Sequence, residues 1–521
     1  MKRKYISILV IATLALVSSS CSNFLDVKPV GKLIPSKSED LADLLNSNNT
    51  MDWQFRDGYW GNFYALLGDN YQLSENQSKY FYTPSNSYTE RFAAYTFNPP
   101  YENPYEGSGN WSLGIYRAVE VFNNVIDGVQ NLPGQSDTDL GKVITAQAKA
   151  GRAWTILLGA LAYGPAYDPT NISQKPVMPY RTFSDPNTPN PALSNIGQLF
   201  DLAEQDLKDA LVNAPVNVGN PSRANLAAVH GLLAQLYMYK RDWPKMLTHA
   251  QEAWDKSVAA KGGVNNLIYN LNDFYYQPNP NASPAPGTDV EVVLDLQGPD
   301  MLFMQSEARE NLFYRPAPDG DGVIHYPSQE FIDVFDKNTD RRYKLFMLKT
   351  LGYSTTVGGV KYDDGVITNY YKDTKVLTSQ GLTYPELLLM KAEANARLNN
   401  LSAALADLNL LRTYRYSGAS TDLPSGGSLG QDALLFEILK ERRRELPIAT
   451  CQRTFDIKRY SLDQGKPWSK TSITHHIGTK AYTAPINEEY FTLQISNPIL
   501  EFNPQWGIAL WNGTYDPTSK K

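Results

Sequence analysis

Cysteine and histidine are scarce in this chain, whose 521 residues include two cysteines and five histidines. Two thiols can form at most one disulfide, so a fold held together by several disulfides is excluded. The histidines show no metal-ligand spacing with cysteine or with one another on one helix face, and the neighbours His475 and His476 are expected in a loop with their rings pointing apart. The sequence therefore predicts no metal site and no cofactor.

Positive charge is not in excess either, since the formal net charge is -6. Proteins that bind nucleic acids usually carry a basic surface, so no nucleic-acid partner is predicted. The one compact basic run, Arg442-Arg443-Arg444, stands between Glu441 and Glu445. We expect these arginines to pair with those glutamates and with Asp456 inside the scaffold.

Two motifs of common catalytic sites are missing: there is no phosphate-binding glycine loop and no H-E-x-x-H. The stretch from Asp319 to Gly322 resembles the start of a calcium loop, but Ile324 replaces the required glycine, so a turn is expected. Asp363-Asp364-Gly365 is predicted to form a hairpin turn. No residue is assigned a catalytic role.

One long hydrophobic run is present, at the N-terminus. Lys2, Arg3 and Lys4 precede an apolar stretch over 5–17, and three serines then lead directly to Cys21. This arrangement predicts an export signal over residues 1–20, because the apolar stretch is too short to span a bilayer comfortably. A small-residue cleavage site followed by cysteine is typical of lipoproteins, so Cys21 is the predicted lipidation site and the membrane anchor. An ordinary secreted protein with a Cys21–Cys451 disulfide is the alternative.

Tyrosine, proline and glycine are abundant, with 33, 33 and 35 residues. Proline and glycine indicate many turns and loops. Tyrosine combines an apolar face with a polar tip, which suits a wet binding surface.

Helical periodicity recurs in pairs of segments. Residues 224–257 read as helix, short turn and helix, with Pro244 at the start of the second helix, and 384–416 repeat the pattern. A unit of roughly 34 residues is the tetratricopeptide period. Further helices are predicted over 111–130, 139–163, 192–213 and 431–446. The predicted fold class is mainly α, a tetratricopeptide-like scaffold of helical pairs with a large region of irregular loops and short strands.

Loop-rich stretches separate the helical pairs. We predict one domain over 21–521, with helical repeats within about 111–257 and 384–446 and a ligand region within about 51–110 and 261–380. The C-terminal stretch 461–521 is also predicted to be rich in loops.

Several motifs occur here in the order typical of the SusD/RagB family, and the chain resembles that family over most of its length. The motifs are Phe24-Leu25-Asp26; Trp111, Tyr116 and Asn123; Arg152-Ala153 and Tyr163-Gly164-Pro165; Pro327 to Phe331 with Asp340 to Arg342; Glu441 to Leu446 with Arg453 to Arg459; Pro485 to Glu489; and Asn497 to Leu500 with Asn503-Pro504.

The resemblance implies a SusD-like fold and a non-enzymatic lipoprotein anchored in the outer membrane and facing the cell surface. It implies capture of an oligosaccharide or polysaccharide and delivery to a TonB-dependent SusC-like barrel. A RagB-like lipoprotein that takes up peptides is the main alternative. A surface glycoside hydrolase and a helical scaffold that binds only protein are weaker ones.

A sugar site requires aromatic platforms with polar neighbours, because sugars have apolar faces edged by hydroxyls. The loop regions supply such residues, and the predicted ligand-binding residues are Asp69, Tyr71, Tyr101, Tyr105 and Tyr314. The wider candidate set consists of Trp53, Tyr59, Trp60, Asn70, Tyr95, Asn103, Tyr275, Tyr276 and Arg315.

Overall fold

The computed structural model describes residues 35–47, 50, 63–82, 89–279, 294–299, 308–316, 326–370, 379–446 and 450–520. The predicted signal over 1–20, Cys21, and the candidates Trp53, Tyr59 and Trp60 lie outside these residues. So does the predicted turn from Asp319 to Gly322.

Helices dominate the described chain, which confirms the mainly α prediction. They are α1 (Ser38–Leu44), α2 (Thr89–Tyr95), α3 (Gly109–Trp111), α4 (Arg117–Asn131), α5 (Asp139–Tyr163), α6 (Ile196–Asn213), α7 (Leu226–Lys240), α8 (Trp243–Lys261), α9 (Gln329–Ile332), α10 (Arg341–Phe346), α11 (Tyr384–Arg397), α12 (Leu401–Arg415), α13 (Gln431–Glu445), α14 (Gln452–Tyr460), α15 (Glu488–Phe491) and α16 (Asn497–Phe502).

The long helices pack as antiparallel neighbours in chain order. Helix α5 lies between α4 and α6, α7 packs on α6 and pairs with α8, and α11 packs on α8, α12 and α13. Each pair has an apolar face that it cannot bury alone, so the pairs stack and share one core. This is the tetratricopeptide-like arrangement that the periodicity predicted.

Local sequence determines where these helices begin and end. The Thr138 hydroxyl accepts a hydrogen bond from the Gly141 N–H at 2.9 Å and caps α5. Asn195 and Gln198 form a reciprocal capping box at α6. Asp242 caps α8, which then ends at Gly262, whose φ of +74° favours glycine.

Close helix packing depends on glycine in α5. A methyl group at Gly151 would lie 2.3 Å from the Phe122 ring of α4. The missing side chain therefore allows α4 and α5 to approach each other.

The β-strands of the described residues form short, two-stranded antiparallel ladders. The strands are β1 (Tyr71–Gln72), β2 (Met178–Pro179), β3 (Leu193–Ser194), β4 (Tyr275–Pro278), β5 (Leu294–Gln297), β6 (Asn311–Phe313), β7 (Tyr326–Pro327), β8 (Met347–Leu351), β9 (Ser354–Val357), β10 (Val360–Asp363), β11 (Val366–Tyr370), β12 (Leu382–Thr383), β13 (Ser472–Ile477) and β14 (Lys480–Pro485). They pair as β1–β7, β2–β3, β4–β5, β6–β12, β8–β11, β9–β10 and β13–β14.

Two loop predictions are wrong. His475 and His476 lie in β13, where alternation buries His475 and exposes His476, so their rings do point apart. Asp363-Asp364-Gly365 connects β10, which pairs with β9, to β11, which pairs with β8. Since β10 and β11 do not pair with each other, this connection is not a hairpin turn. The hairpin turn is instead Gly358-Gly359, because both residues have positive φ, as a two-residue turn between β9 and β10 requires.

The basic run of α13 is buried in a network of ion pairs. Arg442 bonds Asp456 at 2.9 Å and Arg444 bonds Glu441 at 2.7 Å, as predicted. Glu445 differs from the prediction, because it pairs with Arg342 and Arg415 instead. Because these charges are buried, removing one partner would leave an uncompensated charge inside the protein and destabilise the fold.

Within the described residues, no helix combines the length and apolar character needed to cross a membrane. The Cys451 side chain is buried.

Candidate functional site

The two predicted ligand regions meet at a pair of tyrosines on the surface. The rings of Tyr80 and Tyr362 lie 4.2 Å apart, centroid to centroid, with their planes inclined by 38°. Both side chains are half-buried, so ring surface remains open to solvent. Tyr80 comes from the 51–110 region and Tyr362 from the 261–380 region.

The β9–β10 ladder extends this apolar surface. Residues two apart on a strand share a face, so Val360 lies on the same face as Tyr362, and directly paired residues across strands also share a face. Val357 is paired with Val360, and both are exposed. We call Tyr80, Tyr362, Val357 and Val360 the tyrosine platform.

Buried contacts fix the segment that carries Tyr80. This segment is a single wide helical turn, Gln77–Phe81, whose start is held by a hydrogen bond from the Ser74 N–H to the Gln77 side chain at 2.9 Å. Phe81 packs edge-on against Tyr353, at 5.8 Å between ring centroids. The adjoining Asn76 amide donates to Asp364 at 2.8 Å, which ties the turn to the β10–β11 connection.

Lys79 supplies a positive charge beside the rings. Its ammonium lies 5.0 Å from the centroid of Tyr80 and 5.8 Å from that of Tyr362, within cation–π range. Burial raises the pKa of the Tyr80 hydroxyl, but hydrogen bonds from Tyr362 and Lys79 outweigh burial and leave that pKa below its ordinary value. The same contact with Tyr80 raises the pKa of Lys79.

The carboxylates next to the platform are engaged by structural partners. Asp364 accepts hydrogen bonds from Asn76 and, at 2.7 Å, from the Tyr326 hydroxyl. Asp363 pairs with Lys361 at 2.6 Å. A glycosidase needs two carboxylates facing one sugar bond, whereas these two groups hold the loops in place.

Aromatic faces with adjacent hydroxyl, amide and ammonium groups match the two sides of a sugar. The apolar C–H face of a pyranose packs on a ring, and its hydroxyls hydrogen-bond to polar neighbours directly or through water. The platform therefore offers both kinds of contact that a saccharide requires.

The predicted residue Asp69 lies inside the protein. Its carboxylate binds Arg453 at 2.7 and 2.8 Å, Lys470 at 2.6 Å and Arg443 at 3.1 Å. Burial raises the pKa of Asp69, but these three cations outweigh it and hold the pKa well below the usual range. The geometry gives Asp69 a structural role in anchoring the first loop region to α13 and α14.

Tyr71 and Tyr101 are core residues, with 4% and 3% of their surface exposed. Tyr71 pairs with Pro327 in the β1–β7 ladder. The Tyr101 hydroxyl donates to the Tyr490 carbonyl at 2.7 Å. Neither side chain offers a face to a ligand in this conformation.

Tyr105 and Tyr314 are more exposed to solvent than Tyr71 and Tyr101. Tyr105 is 51% exposed, packs edge-on against Trp511 at 5.3 Å and donates to the Gly513 carbonyl. Tyr314 is half-buried beside the buried Arg315. Three of the five predicted residues are therefore buried, and ligand binding by Tyr105 and Tyr314 stays a prediction.

A cleft of about 520 Å³ lies elsewhere, between the end of α8 and β6. The cleft is lined by the basic residues Lys256, Lys261 and Arg309, among others. Its aromatic residue, Tyr384, is only 3% exposed. The cleft therefore lacks the open ring surface that a sugar needs.

Sequence reasoning did not select Tyr80 or Tyr362. Their contact depends on tertiary structure, since the two residues belong to separate loop regions. The available local signals were the aromatic cluster at 80–82 and the alternation of apolar and polar residues over 360–363.

The fold and surface define a helical-repeat scaffold that carries a loop-built aromatic platform. Residues 382–500 match the model of the SusD family. Together with the fold, this match confirms the resemblance predicted from the motifs, and the structure is SusD-like.

Solved structures with this fold cover nearly the whole chain. A SusD-like carbohydrate binding protein from Bacteroides vulgatus ATCC 8482 is 17% identical, with a TM-score of 0.59 over 90% of this chain and 97% of that one. A SusD superfamily protein from Bacteroides thetaiotaomicron VPI-5482 is 16% identical, with a TM-score of 0.62 over 90% and 98%. Another, from Bacteroides fragilis, is 18% identical, with a TM-score of 0.61 over 91% and 99%. No curated protein matches the sequence.

Proposed function

We propose that this protein captures an oligosaccharide or polysaccharide at the cell surface and delivers it, uncleaved, to a SusC-like TonB-dependent transporter in the outer membrane. The observation that carries this proposal is the half-buried Tyr80–Tyr362 pair with Lys79 beside it, on a SusD-like fold. A carbohydrate-binding protein with the same fold supports the ligand class.

The N-terminal sequence supports the location. The basic start, short apolar run and Cys21 are what a lipoprotein of the outer membrane requires. A lipid at Cys21 would keep the protein at the membrane surface beside a transporter.

Binding to the platform is tested by calorimetric titration of the lipid-free protein, starting at Ser22, against a panel of polysaccharides and peptide mixtures. A saturable signal with a glycan, and no release of reducing sugar, is the expected result. Tyr362→Ala should weaken binding about 3- to 10-fold, since an aromatic contact contributes about 0.5–1.5 kcal/mol.

Two matched variants locate the site. Tyr275→Ala removes a 57% exposed tyrosine from β4, which pairs with β5 and not with the platform strands, and should leave affinity unchanged if the ligand binds the platform. Tyr105→Ala tests the second candidate surface, which is formed by Tyr105 and Trp511. Loss of binding in Tyr105→Ala but not in Tyr362→Ala would place the ligand near Trp511 and contradict the platform.

Other outcomes decide the function itself. A response to peptides alone would move the protein to peptide uptake, and reducing sugar released by the wild type would indicate a hydrolase. The transporter is tested by purifying the native protein from its membrane, where a β-barrel partner should co-purify.

A further inference from the structure

Two histidines from neighbouring helices face each other outside the platform. His230 of α7 and His249 of α8 have their Nδ1 atoms 3.0 Å apart, with ring centroids separated by 5.2 Å. Both side chains are half-buried, so one side of the pair is open to solvent.

Neither helix alone shows the histidine spacing of a metal site, because each contributes one histidine to the pair. The two residues come together because α7 and α8 are antiparallel and connected by a tight turn after Lys240. Metal-binding histidines on one helix stand three or four residues apart, and that is the spacing a sequence search examines.

The separation of the two nitrogens is suited to a metal ion. With metal–nitrogen bonds of about 2.0–2.1 Å, atoms 3.0 Å apart subtend an angle of about 94° at the metal. A right angle matches neighbouring positions of a square-planar or tetragonal ion, whereas a tetrahedral ion needs about 109°. We propose that His230 and His249 chelate Cu²⁺, or Ni²⁺ more weakly, through their Nδ1 atoms.

The protonation state supports this arrangement. Burial, together with the neighbouring His249, lowers the pKa of His230 to about 4, and burial lowers the pKa of His249 as well. Both shifts favour the neutral imidazole, the form that offers a lone pair to a metal.

The charges around the pair are closely balanced. Glu252 and Glu204 act on His249 as negative charges, and Lys256 acts on His230 as a positive one. Lys256 is paired with Glu252 at 3.1 Å, and Lys208 with Glu204 at 2.6 Å. The surrounding charges therefore do not strongly repel a cation bound at the two histidines.

The remaining metal positions belong to water or an external ligand. Among the residues that the structure describes, no three His, Cys, Asp or Glu side chains lie together as a ready-made metal site. A two-histidine chelate open to solvent is accordingly weaker than a structural site with four protein ligands.

The simple rival is a hydrogen bond between the two rings, one donating and the other accepting. It predicts no specific metal affinity. The two interpretations are separated by titrating the untagged, lipid-free protein with Cu²⁺ in a buffer that does not bind metals, with electron paramagnetic resonance at one equivalent.

One tight equivalent of Cu²⁺ is expected, with hyperfine coupling to two imidazole nitrogens. His230→Gln and His249→Gln should each weaken binding by at least about 10-fold, because each leaves a single nitrogen ligand. His476→Gln, which removes an exposed histidine from β13, is the matched control and should bind as the wild type does.

The proposal is overturned if copper binds either variant as tightly as the wild type, or if the spectrum shows fewer than two imidazole nitrogens. The spectrum is measured on the wild type, so this result does not depend on the stability of the variants. Tighter binding of Zn²⁺ than of Cu²⁺ would also contradict the right-angle geometry.

Discussion

Tyr362 lies against Tyr80 with ring centroids 4.2 Å apart, and the Lys79 ammonium lies 5.0 Å from the centroid of the Tyr80 ring. The contact joins a helical turn of the first loop region to a β-hairpin of the second. Its partly open faces make it the best-supported ligand platform among the described residues.

Replacing the Tyr80 hydroxyl separates the polar and apolar contributions of the platform. Tyr80→Phe keeps the ring but removes the hydroxyl that a sugar could hydrogen-bond, so it should weaken glycan binding by about 5-fold or less, the value of one hydrogen bond. Tyr80→Ala should weaken it further, because the stacking face is lost. Calorimetry on both variants checks the order, and equal affinity of Tyr80→Ala and wild type would contradict it.

Asp69→Asn tests whether Asp69 serves the fold. The variant removes the buried carboxylate that pairs with Arg443 and Arg453, so we expect the free energy of unfolding at pH 7 to fall by about 3–5 kcal/mol, with glycan affinity of the folded protein unchanged. Urea unfolding at several pH values gives this loss.

The same measurement has a defined pH dependence. The pKa of Asp69 is depressed in the folded state, so its contribution is complete above the unfolded value near 4 and disappears as pH falls through the folded pKa. The difference between variant and wild type should therefore shrink in acid. Asp432→Asn, which breaks an exposed pair with Lys466, should cost less than about 1 kcal/mol.

Gly151→Ala tests the contact between α4 and α5. Alanine favours a helix by about 1 kcal/mol over glycine, but its methyl group would overlap the Phe122 ring, so we expect a net loss of about 1–3 kcal/mol. Gly219→Ala is the control, because open space surrounds that position. Thermal unfolding compares the two, and a more stable Gly151→Ala would show that Phe122 can move aside.

The His230–His249 pair should make stability depend on pH when metal is removed by EDTA. The folded pKa of His230, about 4, lies below the unfolded value near 6.5, so the unfolded chain binds more protons between these values. Stability should therefore fall as pH decreases from about 6.5 towards about 4, by on the order of 1 kcal/mol after solvent screening. The double variant His230→Gln/His249→Gln should lose this slope, and His476→Gln should retain it.

Much of the scaffold could be read from local sequence. Helix α5 occupies the predicted range 139–163, and the pairs α7–α8 and α11–α12 fall within 224–257 and 384–416 to within a few residues. Periodicity succeeded there because each helix faces a neighbour close in sequence, and because caps such as Thr138 and Asp242 mark the helix starts.

The sequence by itself determined the kind of scaffold, the family resemblance and the two loop regions that carry the platform. Tertiary structure decided which loop side chains are buried. Asp69 and Tyr71 looked like surface residues in a loop, but Arg443 and Arg453 of distant helices enclose the carboxylate, and Pro327 pairs with the tyrosine. Tyr80 meets Tyr362, and His230 meets His249, only because packing brings separate segments together, and no local pattern encodes such contacts.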